Sequence, residues 1–179
     1  MTDGQLAELF RAHLLYGLAR HGHPNTLVVQ SNQPTTQGRT DTATLYYFAL
    51  PERRYGWQHR SRTYDEQAAQ ITTKEAQWIE SAYQLFALVP HRPHDLSSVT
   101  PKDLLNLAAL ICNSEPFLSG LRAGGAGVQR ITEIRNPFFV NDRKQFEASP
   151  SFDITISHKR EITEITPVTQ EVTHRIFRV

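Results

Sequence analysis

Eight histidines are the side chains in this sequence best suited to metal or proton chemistry, and four of them fall in two tight pairs, His21-Gly22-His23 and His91-Arg92-Pro93-His94. A zinc site needs ligands fixed on a rigid element and a third and fourth donor. Both pairs lie in turn-rich segments, and the single cysteine supplies no Cys pair. They read as solvated loop histidines, and no metal ligand is assigned. Cys112 sits in the apolar run 107–112 and reads as a buried thiol rather than a nucleophile. Nothing in the sequence joins it to His158. No Gly-x-Ser-x-Gly turn is present. Gly124-Gly125-Ala126-Gly127 lacks the Gly-Lys-Ser/Thr ending of a phosphate cradle and reads as a hinge or tight turn. The carboxylates Asp65-Glu66 and Glu75/Glu80 suit a surface or an interface better than acid–base work. No catalytic, metal or cofactor-binding residue is expected, and no cofactor. The chain does not read as an enzyme.

Two other clusters are more informative. Residues 53–62 read Arg-Arg-Tyr-Gly-Trp-Gln-His-Arg-Ser-Arg, four arginines and no acid among aromatics. Arg, Trp and Tyr are favoured anchors of protein interfaces, and basic–aromatic surfaces also bind nucleic acid. Arg53, Arg54, Tyr55, Trp57 and Arg60 are therefore candidate contact residues. The plainer reading is a solvated hairpin with Trp57 half buried. Residues 135–158 carry four Phe, two Pro and six charged side chains up to Asp153. Pro137 and Pro150 stiffen the ends. Phe138, Phe139, Phe146 and Phe152 have the character to pin the segment to a core. Asn141, Asp142, Arg143, Phe146 and Glu147 make a charged surface suited to a neighbour. The plainer reading is a connection held by its own ion pairs.

The elements that position these clusters follow from periodicity. Leu6, Leu9, Phe10, Leu14 and Leu18 form a helical stripe that ends before Gly22 and Pro24. Residues 27–30 form a short strand and 42–50 a strong one, rich in Thr, Leu, Tyr and Phe. Pro51 begins a turn through Tyr55, from which 56–62 returns as a strand. Residues 73–89 fit either period; the ending Tyr-Gln-Leu-Phe-Ala-Leu-Val favours one long strand. Thr100-Pro101-Lys102-Asp103 opens a helix with a cap, a first-turn proline and an acid. Ser114-Glu115-Pro116 opens a shorter one reaching about Arg122. Strand-like residues 128–134 follow, and Phe152, Ile154 and Ile156 alternate with polar residues in 151–162.

Helix, strands, helix pair and strands together predict an α+β fold: a mainly antiparallel twisted sheet with helices packed on one face. The 179 residues predict a single domain over 1–163, with 164–179 as a β-prone C-terminal arm or extra strand. Lys+Arg 19 against Asp+Glu 18 gives no basic excess to make nucleic acid the main ligand. The opening residues lack the basic, apolar pattern of a secretion signal, and no apolar run approaches the ~20 residues of a membrane span. Assembly in the cytoplasm, without a membrane partner, is the expectation.

The run 130–139 (Arg-Ile-Thr-Glu-Ile-Arg-Asn-Pro-Phe-Phe), then Asn141-Asp142-Arg143, Gln145-Phe146-Glu147 and Pro150-Ser151-Phe152-Asp153 with the strand to His158, resembles the neck or tail terminator proteins of tailed bacteriophages. Gln33-Pro34, residues 42–50, Tyr55-Gly56-Trp57 and residues 83–89 are similar as well, so the likeness covers about 26–163. The resemblance implies a tail-terminator-like fold and a structural virion protein without enzymatic activity. It implies a homo-oligomeric ring, commonly six-fold, at the head–tail neck. The partners would be the tail tube, the sheath or the connector and adaptor proteins, with DNA crossing the lumen unbound. Other readings of the same residues are a head-completion or other tail component, or a nucleic-acid-binding module using 53–62.

Overall fold

A computed structural model describes residues 1–31, 41–90, 98–140, 146–148 and 150–168, with the backbone alone described at 138–140 and 146–148. Among the described residues, three helices lie on one face of a six-stranded sheet. Helix α1, Asp3–Arg20, starts at a capping box: Gln5 N–H donates to Thr2 Oγ1 (3.3 Å) and Thr2 N–H donates to Gln5 Oε1 (2.8 Å). Its buried stripe is Leu6, Ala7, Phe10, Leu14 and Leu18. Helix α2, Pro101–Cys112, starts at the reciprocal Thr100–Asp103 box, and α3, Glu115–Ala123, follows it across a 56° bend. No single helix among the described residues is long and apolar enough to cross a membrane.

The strands are β1 (Leu27–Gln30), β2 (Thr44–Ala49), β3 (Arg53–Asp65), β4 (Gln70–Leu88), β5 (Ala126–Ile131), β6 (Phe138–Val140), β7 (Phe146–Ala148) and β8 (Ser151–Pro167). The sheet order is β1-β2-β4-β8-β5; β1 runs parallel to β2 and the other pairings are antiparallel. β6 and β7 form a separate hairpin inside the phenylalanine-rich segment, which the sequence presents as one loop.

The expected turn at Pro51 is not a reversal. β2 lies against Tyr83–Leu88 of β4, and β3 continues along the same edge from Arg53↔Glu80 to Asp65↔Gln70. Pro51 interrupts the ladder because it has no N–H to give, and Leu50 N–H still reaches Ala82 O (2.8 Å). The chain reverses at 66–69 instead. There Asp65 Oδ1 accepts from Gln67 N–H (3.0 Å) and Ala68 N–H (3.1 Å), and Ala69 takes φ 48°. An aspartate side chain thus replaces the glycine or proline that usually marks a turn. β8 extends to Pro167, so residues 164–167 continue the strand beside β4.

The core lies between the helices and the β1-β2-β4-β8 face. Phe10 stacks on Tyr83 (5.6 Å, 19°) and meets Tyr47 and Phe117 edge-on (5.4 and 5.9 Å). Cys112 is fully buried, and burial pushes its thiol pKa up. Helix α1 approaches α2 where Gly17 faces Ile111, and a Cβ on Gly17 would overlap the Ile111 side chain. Helix propensity alone favours Gly17→Ala by about 1 kcal/mol. The overlap reverses the sign, and the variant should be destabilised by about 1–3 kcal/mol, read from its urea midpoint; a stabilised variant would show that Ile111 repacks freely.

Candidate functional site

The sheet is much longer than its helical cover. In β4, the alternate residues Ile79, Ser81, Tyr83, Leu85 and Ala87 are buried against the helices. Before Ile79 that pattern stops. β3, residues 70–80 of β4 and residues 158–167 of β8 project as a three-stranded arm, and every β3 residue is exposed. Register and alternation assign its faces. Arg54, Arg60, Arg62 and Tyr64 share the helix-side face with Ile71, Glu75 and Ile162; Arg53, Tyr55 and His59 share the other with Trp78 and Ile165.

Trp57 is 98% exposed, which overturns the half-buried reading. Between Tyr55↔Trp78 and His59↔Ala76, β3 carries two more residues than β4. Gly56 takes φ +72° at this bulge, and Gln77 Nε2 donates to its carbonyl (3.3 Å). The bulge turns Trp57 out of the ladder. Beyond it, Glu75 accepts from Gln58 Nε2 and Arg60 Nε, both at 2.6 Å, and stiffens the arm. Arg53, Arg54, Tyr55, Trp57 and Arg60 are thus brought onto one projecting element. Asn141, Asp142 and Arg143 lie outside the described residues. Phe146 and Glu147 fall in β7, where only the backbone is described. Phe152 is fully buried, and Arg135 is tied to Asp153 (2.6 Å).

A polar cluster at the arm's root gave no signal in the sequence. His158 is fully buried and its Nε2 lies 3.0 Å from Ser81 Oγ; Ser81 in turn donates to Glu52 Oε1 (2.8 Å). Arg160 pairs with Asp3 at the start of α1 and lies 3.9 Å from Glu52, while the Met1 amine donates to Lys159 O (2.9 Å). The Ser–His pair invites a hydrolase reading. However, the hydroxyl gives its single proton to Glu52, so the imidazole must donate and cannot act as its base. Both side chains are buried. The arrangement is that of a structural lock between α1, β4 and β8. It was invisible in the sequence because Ser81 and His158 are 77 residues apart and meet only through the β4–β8 register. His21 and His23 lie on the surface after α1, and His91 and His94 are outside the described residues. Among the described residues no three His, Cys, Asp or Glu side chains form a metal-holding group.

This fold, a mixed and mostly antiparallel sheet with three helices on one face, is tail-terminator-like. Among the 25 solved chains that match is the sheath/tube terminator of an extracellular contractile injection system, PVC, in its extended state, with a TM-score of 0.54 at 10% identity. The match covers 100% of this chain and 64% of that one, so the chain spans about two-thirds of that protein's length. No curated protein matches the sequence significantly. The family model described as E217 gateway protein gp29 matches residues 5–168, and the chain belongs to that family. It is a tail-terminator-like phage protein.

Burial of His158, and then the positive charges of Arg160 and the Met1 amine, hold its pKa below the usual 6.5, against the opposing fields of Glu52 and Asp3. Above that pH the imidazole is neutral whether folded or not, and stability does not depend on it. Below it the unfolded chain binds a proton that the native state refuses, so stability falls with pH until the lower native pKa is reached. The urea midpoint should therefore drop as the pH falls below about 6.5, and less steeply in His158→Gln. An equally steep drop in the variant would assign the dependence to other groups.

Proposed function

We propose that the protein is a non-enzymatic virion component of a tailed phage whose copies form a ring, six-fold in our reading, at the head–tail neck. The ring terminates the tail tube and docks it to the connector, with the sheath as a further neighbour and DNA crossing the lumen without specific binding. Assembly takes place in the host cytoplasm. Family and fold support a structural role in the tail or neck. The observation that carries the ring is the bare arm. Tyr55, Trp57, Tyr64, Trp78, Ile162 and Ile165 are all exposed on a ribbon with no helix over it. A ribbon of this kind cannot cover these side chains itself, and exposed apolar surface on such a scale marks an interaction site. In a ring each arm would be covered by the next copy. In this reading 1–163 is the assembling domain, and Asn141, Asp142, Arg143, Phe146 and Glu147 form a second contact surface.

Arg54, Arg60 and Arg62 on one arm face keep a nucleic-acid module as the second reading. Against it, Arg60 is neutralised by Glu75, and Glu161 and Glu164 interleave with the cations along the arm. Binding of DNA at low salt that is lost in Arg54→Ala with Arg62→Ala would favour this module.

Trp57 touches little in the monomer, so Trp57→Ala should alter monomer stability by less than ~0.5 kcal/mol. As an interface anchor it should weaken assembly by about 2 kcal/mol or more per contact. Native mass spectrometry and sedimentation across concentration measure both the ring and its loss. A wild-type chain that stays monomeric and binds neither tail tubes nor connectors would overturn the reading.

A further inference from the structure

At the arm's root, on the sheet face away from the helices, four strands place their side chains in adjoining rows. Arg53 stands opposite Glu80, Ala82 opposite Thr155, and Thr155 opposite Arg130. Pro51 and Gln129 complete the wall of a cleft of about 290 Å³. Gln129 is held aside at the β5 bulge, where its amide donates to Ser157 Oγ (2.9 Å). Arg53 and Arg130 are exposed, and neither has an ion-pair partner among the described residues. Arg60, Arg122, Arg135 and Arg160, in contrast, each hold a carboxylate. Two free guanidiniums against the single carboxylate of Glu80 leave the cleft in want of negative charge. Its size suits one or two carboxylate side chains, which arginine binds with two parallel hydrogen bonds.

The other end of the arm carries that chemistry. The turn after β3 presents Asp65 and Glu66, both exposed and adjacent, with no cation between 63 and 73. Asp65 Oδ1 is engaged by the turn, which leaves its second oxygen and the Glu66 carboxylate outward. From Glu80 to Gln70 the arm rises about 34 Å at the usual strand spacing. A domain of this length is about 40 Å across. The arm therefore reaches a neighbouring body, while a hydrogen-bonded ribbon cannot fold its tip back to its own root.

We propose that the acidic arm tip of one copy, Asp65 and Glu66, docks into the Arg53–Arg130 cleft of the next. This rests on the ring reading and specifies its contact as head-to-tail, tip to root. Such a heterologous contact repeats from copy to copy and closes when the rotation per subunit divides a full turn.

Two charge-reversed chains test it: Arg53→Glu with Arg130→Glu, and Glu66→Arg with Gln67→Arg, the second leaving the Asp65 side chain that holds the turn in place. Each alone places like charges at every contact, and each should run as a monomer under conditions where the wild type is a ring. Mixed in equal amounts they should reassemble, because each cleft then meets an opposite tip when the two alternate. Circular dichroism and thermal melting show whether each is folded; Arg53→Gln with Arg130→Gln replaces the first if it is not, with weakened assembly expected. A monomeric wild type would remove the ring reading and this contact with it. A wild-type ring with reversed chains that still assemble alone, or that stay apart on mixing, would overturn the tip-to-root contact and leave the ring standing.

Discussion

The constraint on which this structure turns is a mismatch of length. β4 has 19 residues and α1, the longest helix, has 18. At 3.4 Å per strand residue β4 extends about 65 Å, whereas at 1.5 Å per residue α1 covers about 27 Å. No helical layer of this length can roof such a sheet. The β4–β8 ladder nevertheless continues unbroken from Phe86↔Ser151 to Gln70↔Pro167. Half of it is therefore a packed core and half a bare ribbon, and one continuous set of backbone hydrogen bonds ties the orientation of the second half to the first.

The change from core to arm is handled by polar groups. On the helix side of β4, burial ends at Ile79, and the residues beside it are Ser81, His158 and, one step outward, Arg160. Glu52, Asp3 and the Met1 amine close the cluster from the β2–β3 link and from α1. His158 Nδ1 and Arg160 Nε are buried without a hydrogen-bond partner. Each such group costs about 1–3 kcal/mol, which a purely apolar junction would not. An apolar junction would, however, let the ribbon pivot over α1, whereas directional bonds to the helix start fix its angle. The cluster is thus better understood as setting the arm's direction than as adding stability.

The helices were legible in the sequence because their signals are local. Thr100-Pro101-Lys102-Asp103 and the Leu6–Phe10–Leu14–Leu18 stripe announce cap and face within a few residues. The long strand over 70–88 was legible only in its buried half, where alternation is clean; in the arm both faces are wet and the pattern dissolves. The chain reversal was misplaced for a definite reason. Pro51 carries the strongest turn signal but merely interrupts an edge, while the real turn at 66–69 is made by an Asp65 side chain without glycine or proline. Composition alone singled out Arg53, Arg54, Tyr55, Trp57 and Arg60. The Ser81–His158 pair and the Arg53–Arg130 cleft depend on register, which no local window contains.

A bare ribbon with two open edges is a hazard, since unpaired strand edges invite indiscriminate pairing. The arm carries the usual protections. β3 is broken by the Gly56–Trp57 bulge, and arginines recur along it at 53, 54, 60 and 62; the outer edge of β8 bears Lys159, Arg160, Glu161 and Glu164. These devices weaken edge-to-edge addition, which would let arms join in any register. Contact through side chains at fixed positions is left: the turned-out Trp57, the Tyr55–Trp78 pair and charges placed at tip and root. An element protected in this way from unspecific strand pairing, yet rich in exposed aromatics, is built to meet one geometry, and a repeated single geometry is what a closed ring requires.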